Sequence, residues 1–364
     1  MEPIRKVNPA FWNRKKVYLT GHTGFKGSWL SLWLSSMGAE VKGYALDPPT
    51  TPALFHVANI ASLVETEIGD IRNLNQLTQS IQDFNPDVLL HLGAQSIVLK
   101  SYADPIETYS TNVMGTANVL QACRKLPNLK AIVSVTTDKC YENQEWVWGY
   151  RENEALGGKD PYSSSKACAE LVTSAFRHSF FTDPQGPQVA SARAGNVLAG
   201  GDWTENGLIA DILRAFEQAK PVIIRNPLAV RPWQHVLEPL SGYLMLAEAL
   251  YQDGEKYAEA WNFGPRDEDC KPVNWVLDQM VSLWGDGASW LLDQQANPHE
   301  ARFLKLDSSK AATHLGWIPQ WRLESVLHNV VQWHQEWLAG KNMTQRCLND
   351  ISSYANTPLI TNVP

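Results

Sequence analysis

Short β-branched apolar runs alternate with stretches of helical spacing through the first half of the chain. Runs at 17–20, 41–45, 63–68, 88–92, 131–136 and 189–193 predict strands, and 28–37, 74–84 and about 112–124 predict helices. Strand–helix alternation of this kind predicts an α/β fold: a doubly wound parallel sheet with helices on both faces. Beyond Gly195 the regularity loosens, with Gly200-Gly201-Asp202-Trp203 and Arg231-Pro232-Trp233 breaking the pattern, and a smaller lobe is expected to close over the sheet. Leu323, Val326, Leu327, Val330, Trp333 and Trp337 restore helical spacing and predict an amphipathic helix near the end. The Thr/Pro/Asn-rich tail from about Ser352 is expected to gain order only by docking.

Composition narrows the function more than the fold. The 364 residues suit one large or two fused domains. The net charge of −7, from 31 basic and 38 acidic residues, argues against nucleic acid as a main partner. It leaves room for a small anion, because a few arginines can override a mild global charge. Cys123, Cys140, Cys168, Cys270 and Cys347 are widely spaced without a C-x-x-C and predict reduced thiols of a cytosolic protein. No charged-then-apolar leader opens the chain and no apolar run reaches about 18 residues, so neither secretion nor membrane spanning is expected. The 15 tryptophans scatter along the chain and are expected mainly as packing residues. His22, His91, His235 and His299 have no metal-ligand spacing, and structural hydrogen bonding is expected of each.

Between the first strand and first helix stands Gly21-His22-Thr23-Gly24-Phe25-Lys26-Gly27, a G-x-x-G-x-x-G loop. Its glycines permit a tight turn, a close approach to a pyrophosphate, and helix–strand packing. The helix N-terminus adds open N–H groups and partial positive charge. A dinucleotide site calls for an acidic residue about 20 positions on, to bind ribose hydroxyls. Asp47 is there, just before Pro48-Pro49, and an aspartate disfavours a 2′-phosphate, so NAD is expected over NADP. Asp70, ending the third strand, either contacts adenine or caps the following helix.

Tyr162 and Lys166 lie one helical turn apart on one face. The ammonium is expected to lower the phenol's pKa, so that Tyr162 can take a proton from a hydroxyl. Thr136-Thr137-Asp138-Lys139 precedes them and offers a second acid/base pair, which a simple oxidation does not need.

The glycine loop, Asp70-Ile71, His91-Leu92-Gly93-Ala94-Gln95, Asn112 in Ser-Thr-Asn-Val-Met-Gly-Thr, and Tyr162-x-x-x-Lys166 occur in the order seen in extended short-chain dehydrogenases/reductases. The chain resembles that group over roughly residues 10 to 340. Within it, the chain is most similar to the nucleotide-sugar 4,6-dehydratases of the CDP-glucose branch. Residues 20–30, 136–139, 148–152 and 303–310 carry that narrower likeness. Other 4,6-dehydratases commonly have Thr-Asp-Glu where this chain has Thr137-Asp138-Lys139, and the CDP-glucose branch shares the lysine.

The resemblance implies a Rossmann-type NAD domain (1–195 with 233–264), a nucleotide-sugar lobe (196–232 with 265–350), a tail (351–364), and a homodimer or higher oligomer. It implies that NAD meets Gly21, Thr23, Gly24, Phe25, Lys26, Gly27, Asp47, Asp70, Ile71, Leu92, Ala94, Gln95, Asn112, Tyr162 and Lys166. Substrate contacts are implied at Thr137, Asn196, Arg231 and Arg302, with a salt bridge to Glu238 as the alternative for Arg231 and a solvated charge as the alternative for Arg302.

Oxidising C4 of a hexose makes its C5 proton acidic, and water can then be eliminated across C5 and C6. Tyr162, Lys166 and Thr137 are expected at the C4 hydroxyl. Asp138 is expected as acid for the C6 hydroxyl, and Lys139 as base, water holder or enolate stabiliser. The alternatives are a GDP-mannose or dTDP-glucose 4,6-dehydratase, or a nucleotide-sugar 4-epimerase, which needs no Asp138/Lys139 pair. A non-catalytic NAD sensor would be expected to lack Tyr162 or Lys166.

Overall fold

All six strand-like runs of the first half become parallel strands, and a seventh joins them from residues 260–263. The computed structural model describes residues 3–294 and 303–358. Its strands are β1 (Lys16–Thr20), β2 (Glu40–Ala45), β3 (Glu65–Ile68), β4 (Val88–His91), β5 (Ala131–Val135), β6 (Gln188–Ala194), β7 (Asn196–Leu198), β8 (Val222–Ile224), β9 (Val230–His235), β10 (Ala260–Phe263), β11 (Cys270–Pro272) and β12 (Trp290–Leu292).

The main sheet runs β10-β6-β5-β4-β1-β2-β3, every pairing parallel. Its central strands are buried on both faces, which is why they read as continuous apolar runs. The strand order reverses between β1 and β4, where Thr20 pairs with His91. Such a reversal opens a crevice at the carboxyl ends of the strands.

Helices Phe25–Ser36 and Leu237–Asp253 cover one face, sharing a core with Leu19, Val133, Ala192 and Phe263. Helices Leu74–Phe84 and Gly115–Cys123 pack on the other, around Tyr18, Leu89 and Ile132. Beyond β6, β11-β9-β7 and β12-β8 form two small sheets. Helices Leu208–Glu217, Val273–Trp284 and Leu323–Leu338 enclose a separate core around Ile212, Trp233, Leu277 and Val330.

The end of the chain is more regular than its composition suggests. Helix Met343–Asn356 docks on Phe25–Ser36 and buries Cys347, Ile351 and Tyr354. Trp12, Trp29, Trp233, Trp261, Trp317 and Trp333 are fully buried. The five cysteines are free thiols. Among the described residues, no helix is long and apolar enough to cross a membrane.

Candidate active site

The glycine loop crosses the carboxyl end of β1 at the strand-order reversal. Gly21 has φ +79 and donates its N–H to Tyr44 O at 3.0 Å. A Cβ there would stand 2.8 Å from Gly93 N, and one on Gly27 would stand 2.1 Å from Gly21 O. No side chain caps helix Phe25–Ser36, whose N-cap is Gly24. Its first N–H groups are therefore available to an anion. The loop has the bare backbone and open donors that a pyrophosphate requires.

Other residues around the loop have mixed assignments. Thr23 turns its hydroxyl to Leu46 O at 2.8 Å. Asp47 lies two residues past β2 and is exposed. Asp70 holds Arg72 through both carboxylate oxygens and accepts from Arg72 N at 2.8 Å. The following helix is capped instead by Asn73, which accepts from Gln76 N. Ile71 packs its Cδ1 under Gly93 and Gly115.

Behind the β4 loop, Leu92 N and Gly93 N both donate to Thr20 Oγ1, with Ala94 next in the chain. Gln95 N donates to Asn112 Oδ1 at 2.8 Å, and Asn112 Nδ2 donates to Gln95 O and to Ser165 Oγ. Ser165 Oγ in turn donates to Tyr162 O at 2.7 Å. Asn112 thus ties the β4 loop to the helix carrying Tyr162.

That helix, Pro161–Phe180, starts cleanly: Asp160 caps it and Pro161 occupies its first turn. Tyr162 is buried, with Thr137 near enough to its hydroxyl to affect its ionisation. The expected lowering of its pKa is not what its surroundings produce. Burial pushes the phenol up, the neighbouring Thr137 side chain opposes that, and Asp138 adds to the rise. Lys166 shares the helical face, but its ammonium donates to Val135 O at 3.4 Å. Burial, reinforced by Lys26, brings Lys166 down to about 8.

Thr137 and Asp138 meet Tyr162 at the carboxyl end of β5, in a short 3₁₀ turn at Asp138–Cys140. Asp138 is fully buried. Its Oδ1 accepts from Thr137 Oγ1 at 2.9 Å and from Lys139 Nζ at 3.3 Å. Its Oδ2 has no hydrogen-bond partner among the described residues. Lys139 also donates to Asn196 Oδ1 at 3.4 Å, across 57 positions of sequence.

Lys26 closes the cluster from the glycine loop. Burial brings its amine down to about 8, against the pull of Asp138 and with the help of Lys139. Lys139 and Lys26 therefore both act on one buried carboxylate, with Lys166 next to Lys26, an arrangement suited to moving protons and to stabilising a developing oxyanion.

On the lobe side, Asn196 opens β7 and pairs with Trp233 of β9. Arg231 is on β9 beside Pro232, and its Nη1 donates to Val230 O at 2.9 Å. A Cβ on Gly195 would meet both Pro232 and Asp138 Oδ2, which places this strand against the Thr137–Asp138 turn. Glu238, the alternative partner considered for Arg231, accepts from Gln320 N, Trp321 N and Tyr354 Oη. Arg302 and His299 lie outside the described residues.

His91 and His235 make the hydrogen bonds expected of them, to Thr20 and Thr116 and from Leu237 N respectively. His22 does not. Both its ring nitrogens lack hydrogen-bond partners among the described residues, and it packs edge-on against Phe55, with burial lowering its pKa to about 4. Among the described residues, no three His, Cys, Asp or Glu side chains are placed to hold a metal ion.

Sequence reasoning missed the buried polar groups behind this site, Glu170, Arg193, Tyr141 and Asn262. Only Glu170 had a local signal, standing four residues after Lys166 on the same helical face.

The chain is 57% identical over 352 residues, 96% of its length and 98% of the relative's, to a protein named CDP-glucose 4,6-dehydratase from Salmonella typhimurium. It is 26% identical to a dTDP-glucose 4,6-dehydratase from Xanthomonas campestris, covering 88% of this chain and 94% of that one. Among solved structures, UDP-glucuronic acid 4-epimerase from Bacillus cereus superposes with a TM-score of 0.77 at 21% identity, covering 88% of this chain and 99% of the other. The dTDP-glucose 4,6-dehydratase from Bacillus anthracis gives 0.73 at 24% identity, covering 88% and 97%. The family profile described as GDP-mannose 4,6 dehydratase matches residues 19–330, and the chain belongs to that family.

Proposed function

We propose that the protein is an NAD-dependent lyase that dehydrates CDP-D-glucose to CDP-4-keto-6-deoxy-D-glucose. The observation that carries the reading is the convergence of Tyr162, Thr137, Asp138 and Lys139 at one crevice, beside a loop shaped for a dinucleotide. The choice of CDP-glucose rests on the 57% identical relative.

The residues placed to hold NAD are those of the glycine loop, with Asp47 at the ribose and Lys166 at the catalytic end; both solved relatives described above are complexes with NAD. When bound, NAD supplies the acceptor that takes the C4 hydride and returns it to C6.

Thr137 orients the C4 hydroxyl, and Tyr162 takes its proton. Asp138 Oδ2, unspent within the protein, gives the proton that leaves with the C6 oxygen as water. The C5 proton passes to Lys139 or to a water it holds. Lys139 acts as donor in both of its hydrogen bonds, which also suits it to stabilise the enolate oxygen. Asn196 holds Lys139 in place, and Arg231 is assigned to the diphosphate, whose oxygens a guanidinium fork binds in pairs.

The proposed division gives 1–195 with 233–264 to the cofactor and 196–232 with 265–350 to the sugar nucleotide. We place the enzyme in the cytoplasm, in deoxysugar synthesis for lipopolysaccharide O-antigen, as a homodimer. The exposed side chains of Tyr102, Ile106, Met114 and Leu171, on adjoining helical segments, support a dimer face.

The test is turnover of CDP-glucose against dTDP-glucose, UDP-glucose and GDP-mannose, read by NMR of the product. A 4-keto-6-deoxy product from CDP-glucose in preference to the others is expected. Clean inversion at C4 would replace dehydration with epimerisation.

A further inference from the structure

Residues 148–152 and 303–310 carry much of the narrower family likeness, yet they supply no group to the proposed chemistry. Both segments meet at one buried asparagine. Asn262 Nδ2 donates to Tyr150 O at 2.8 Å and to Asp307 O at 3.1 Å, while its N–H donates to Glu152 Oε1 at 2.8 Å. Its Oδ1 accepts from Tyr141 Oη at 2.7 Å. Arg193 Nη1 donates to that same hydroxyl at 2.8 Å and to Glu152 O at 3.1 Å.

The chain of bonds then enters the catalytic helix. Arg193 Nη2 donates to Glu170 Oε2 at 2.8 Å, and Ser191 Oγ donates there too at 2.6 Å. Glu170 Oε1 accepts from Thr136 Oγ1, the residue before Thr137. Both ionic side chains of this pair are nearly inaccessible, at 4% and 3% exposure. Burial alone would raise the Glu170 carboxyl, but Arg193 and the bonds from Ser191 and Thr136 hold it below its ordinary value.

A buried ion pair is weak evidence for stability, since apolar packing can do as well. What this pair provides is geometry. Glu170 stands eight residues after Tyr162 on the same helix, so it shares that residue's frame. Through Thr136 it also grips the end of β5, from which Thr137 and Asp138 project.

We infer that Glu170 is a positioning residue, which through Thr136 sets the distance between Tyr162 and the Thr137–Asp138 turn and through Arg193 ties both to segments 148–152 and 303–310. The inference rests on the proposed function for its activity readout.

The test is Thr136→Val, nearly isosteric and lacking the one bond from the turn to Glu170, compared with Thr136→Ser. The assay uses whichever of the four sugar nucleotides above the wild type turns over. Thr136→Val is expected to lose about 10²-fold in kcat. Its KM should stay within about 3-fold and its thermal midpoint within about 4 °C, with Thr136→Ser restoring kcat. Ser191→Ala, which removes a bond to Glu170 but not to the turn, is the stability control and should keep kcat within about 3-fold. A crystal structure of Thr136→Val should show the Thr137–Asp138 turn displaced from the Tyr162 hydroxyl relative to the wild type, a readout independent of any substrate. Unchanged kcat with the spacing between that turn and Tyr162 unaltered, or equal kcat losses in Thr136→Val and Ser191→Ala, would overturn the assignment. If Thr136→Val does not fold, Thr136→Ala is judged by the same kcat and structural criteria. A wild type inert toward all four nucleotides would refute the proposed function alone, leaving the structural readout to decide the positioning role.

Discussion

Asp138 Oδ1 and Lys139 Nζ stand 3.3 Å apart, yet the first side chain is fully buried and the second is 29% exposed. Adjacent in sequence, they differ in access: the carboxylate is closed off and the ammonium is partly open to solvent. The carboxylate sits inside with one oxygen unspent, and the ammonium reaches the crevice mouth and Asn196.

That asymmetry separates their expected phenotypes. Asp138→Asn keeps an acceptor for Thr137 but has no proton to give, so turnover should fall about 10²- to 10⁴-fold. Exchange of the substrate's C5 proton with deuterated solvent, followed by NMR, should persist because C4 oxidation does not need Asp138. Lys139→Met should suppress that exchange. Exchange that survives in Lys139→Met but vanishes in Asp138→Asn would reverse the two roles.

Tyr162→Phe removes only the hydroxyl near Thr137. The ring remains packed, so the thermal midpoint should hardly move. Turnover should drop by about 10³-fold or more, within the range of a lost general base. A steady-state assay at saturating substrate measures this, and unchanged kcat would remove Tyr162 from the mechanism.

Gly27→Ala would place a methyl 2.1 Å from Gly21 O, which belongs to the backbone and has no side-chain freedom to yield. The turn and helix must then separate. NAD affinity, measured by isothermal titration calorimetry, is expected to fall at least about 10-fold, a modest result for displaced phosphate donors. Wild-type affinity in this variant would mean that the loop does not cradle the pyrophosphate.

Glu248 allows a pH test away from the site. Its Oε1 accepts from Asn8 N at 2.9 Å and Trp12 Nε1 at 2.6 Å. Burial raises its carboxyl from 4.5 to about 7, against those two bonds. The folded state therefore binds more protons than the unfolded state between those values, and this group's contribution to stability declines as pH rises through that window. Glu248→Gln retains an acceptor for both bonds and does not titrate. Urea unfolding should find the variant more stable than wild type at pH 8, by at most about 3 kcal/mol, with the difference shrinking toward pH 5. A pH-independent difference would assign the effect to packing.

Much of the fold was legible because its signals are local. The six apolar runs, the glycine loop and the four-residue spacing of Tyr162 and Lys166 each reflect a period or a turn that neighbouring residues determine. Strand β10 escaped notice because Ala260–Phe263 is only four residues long and stands among irregular segments. Helix Met343–Asn356 runs past Ser352 because Cys347, Ile351 and Tyr354 find a partner surface on Phe25–Ser36. Composition at the chain end does not reveal that surface.

The sequence by itself determined that this is a parallel α/β protein with a dinucleotide loop, a Tyr/Lys pair and a Thr-Asp-Lys turn. Those features are written in spacing and in the conformational demands of glycine. Only the tertiary structure decided the environment of each group. Packing buries Asp138, raises Tyr162 where the helical spacing suggested lowering, brings Lys26 and Asn196 to Lys139, and runs the Glu170–Arg193 network behind the turn. Desolvation and long-range partners set a side chain's charge and reach, and neither is a property of its neighbours in the chain.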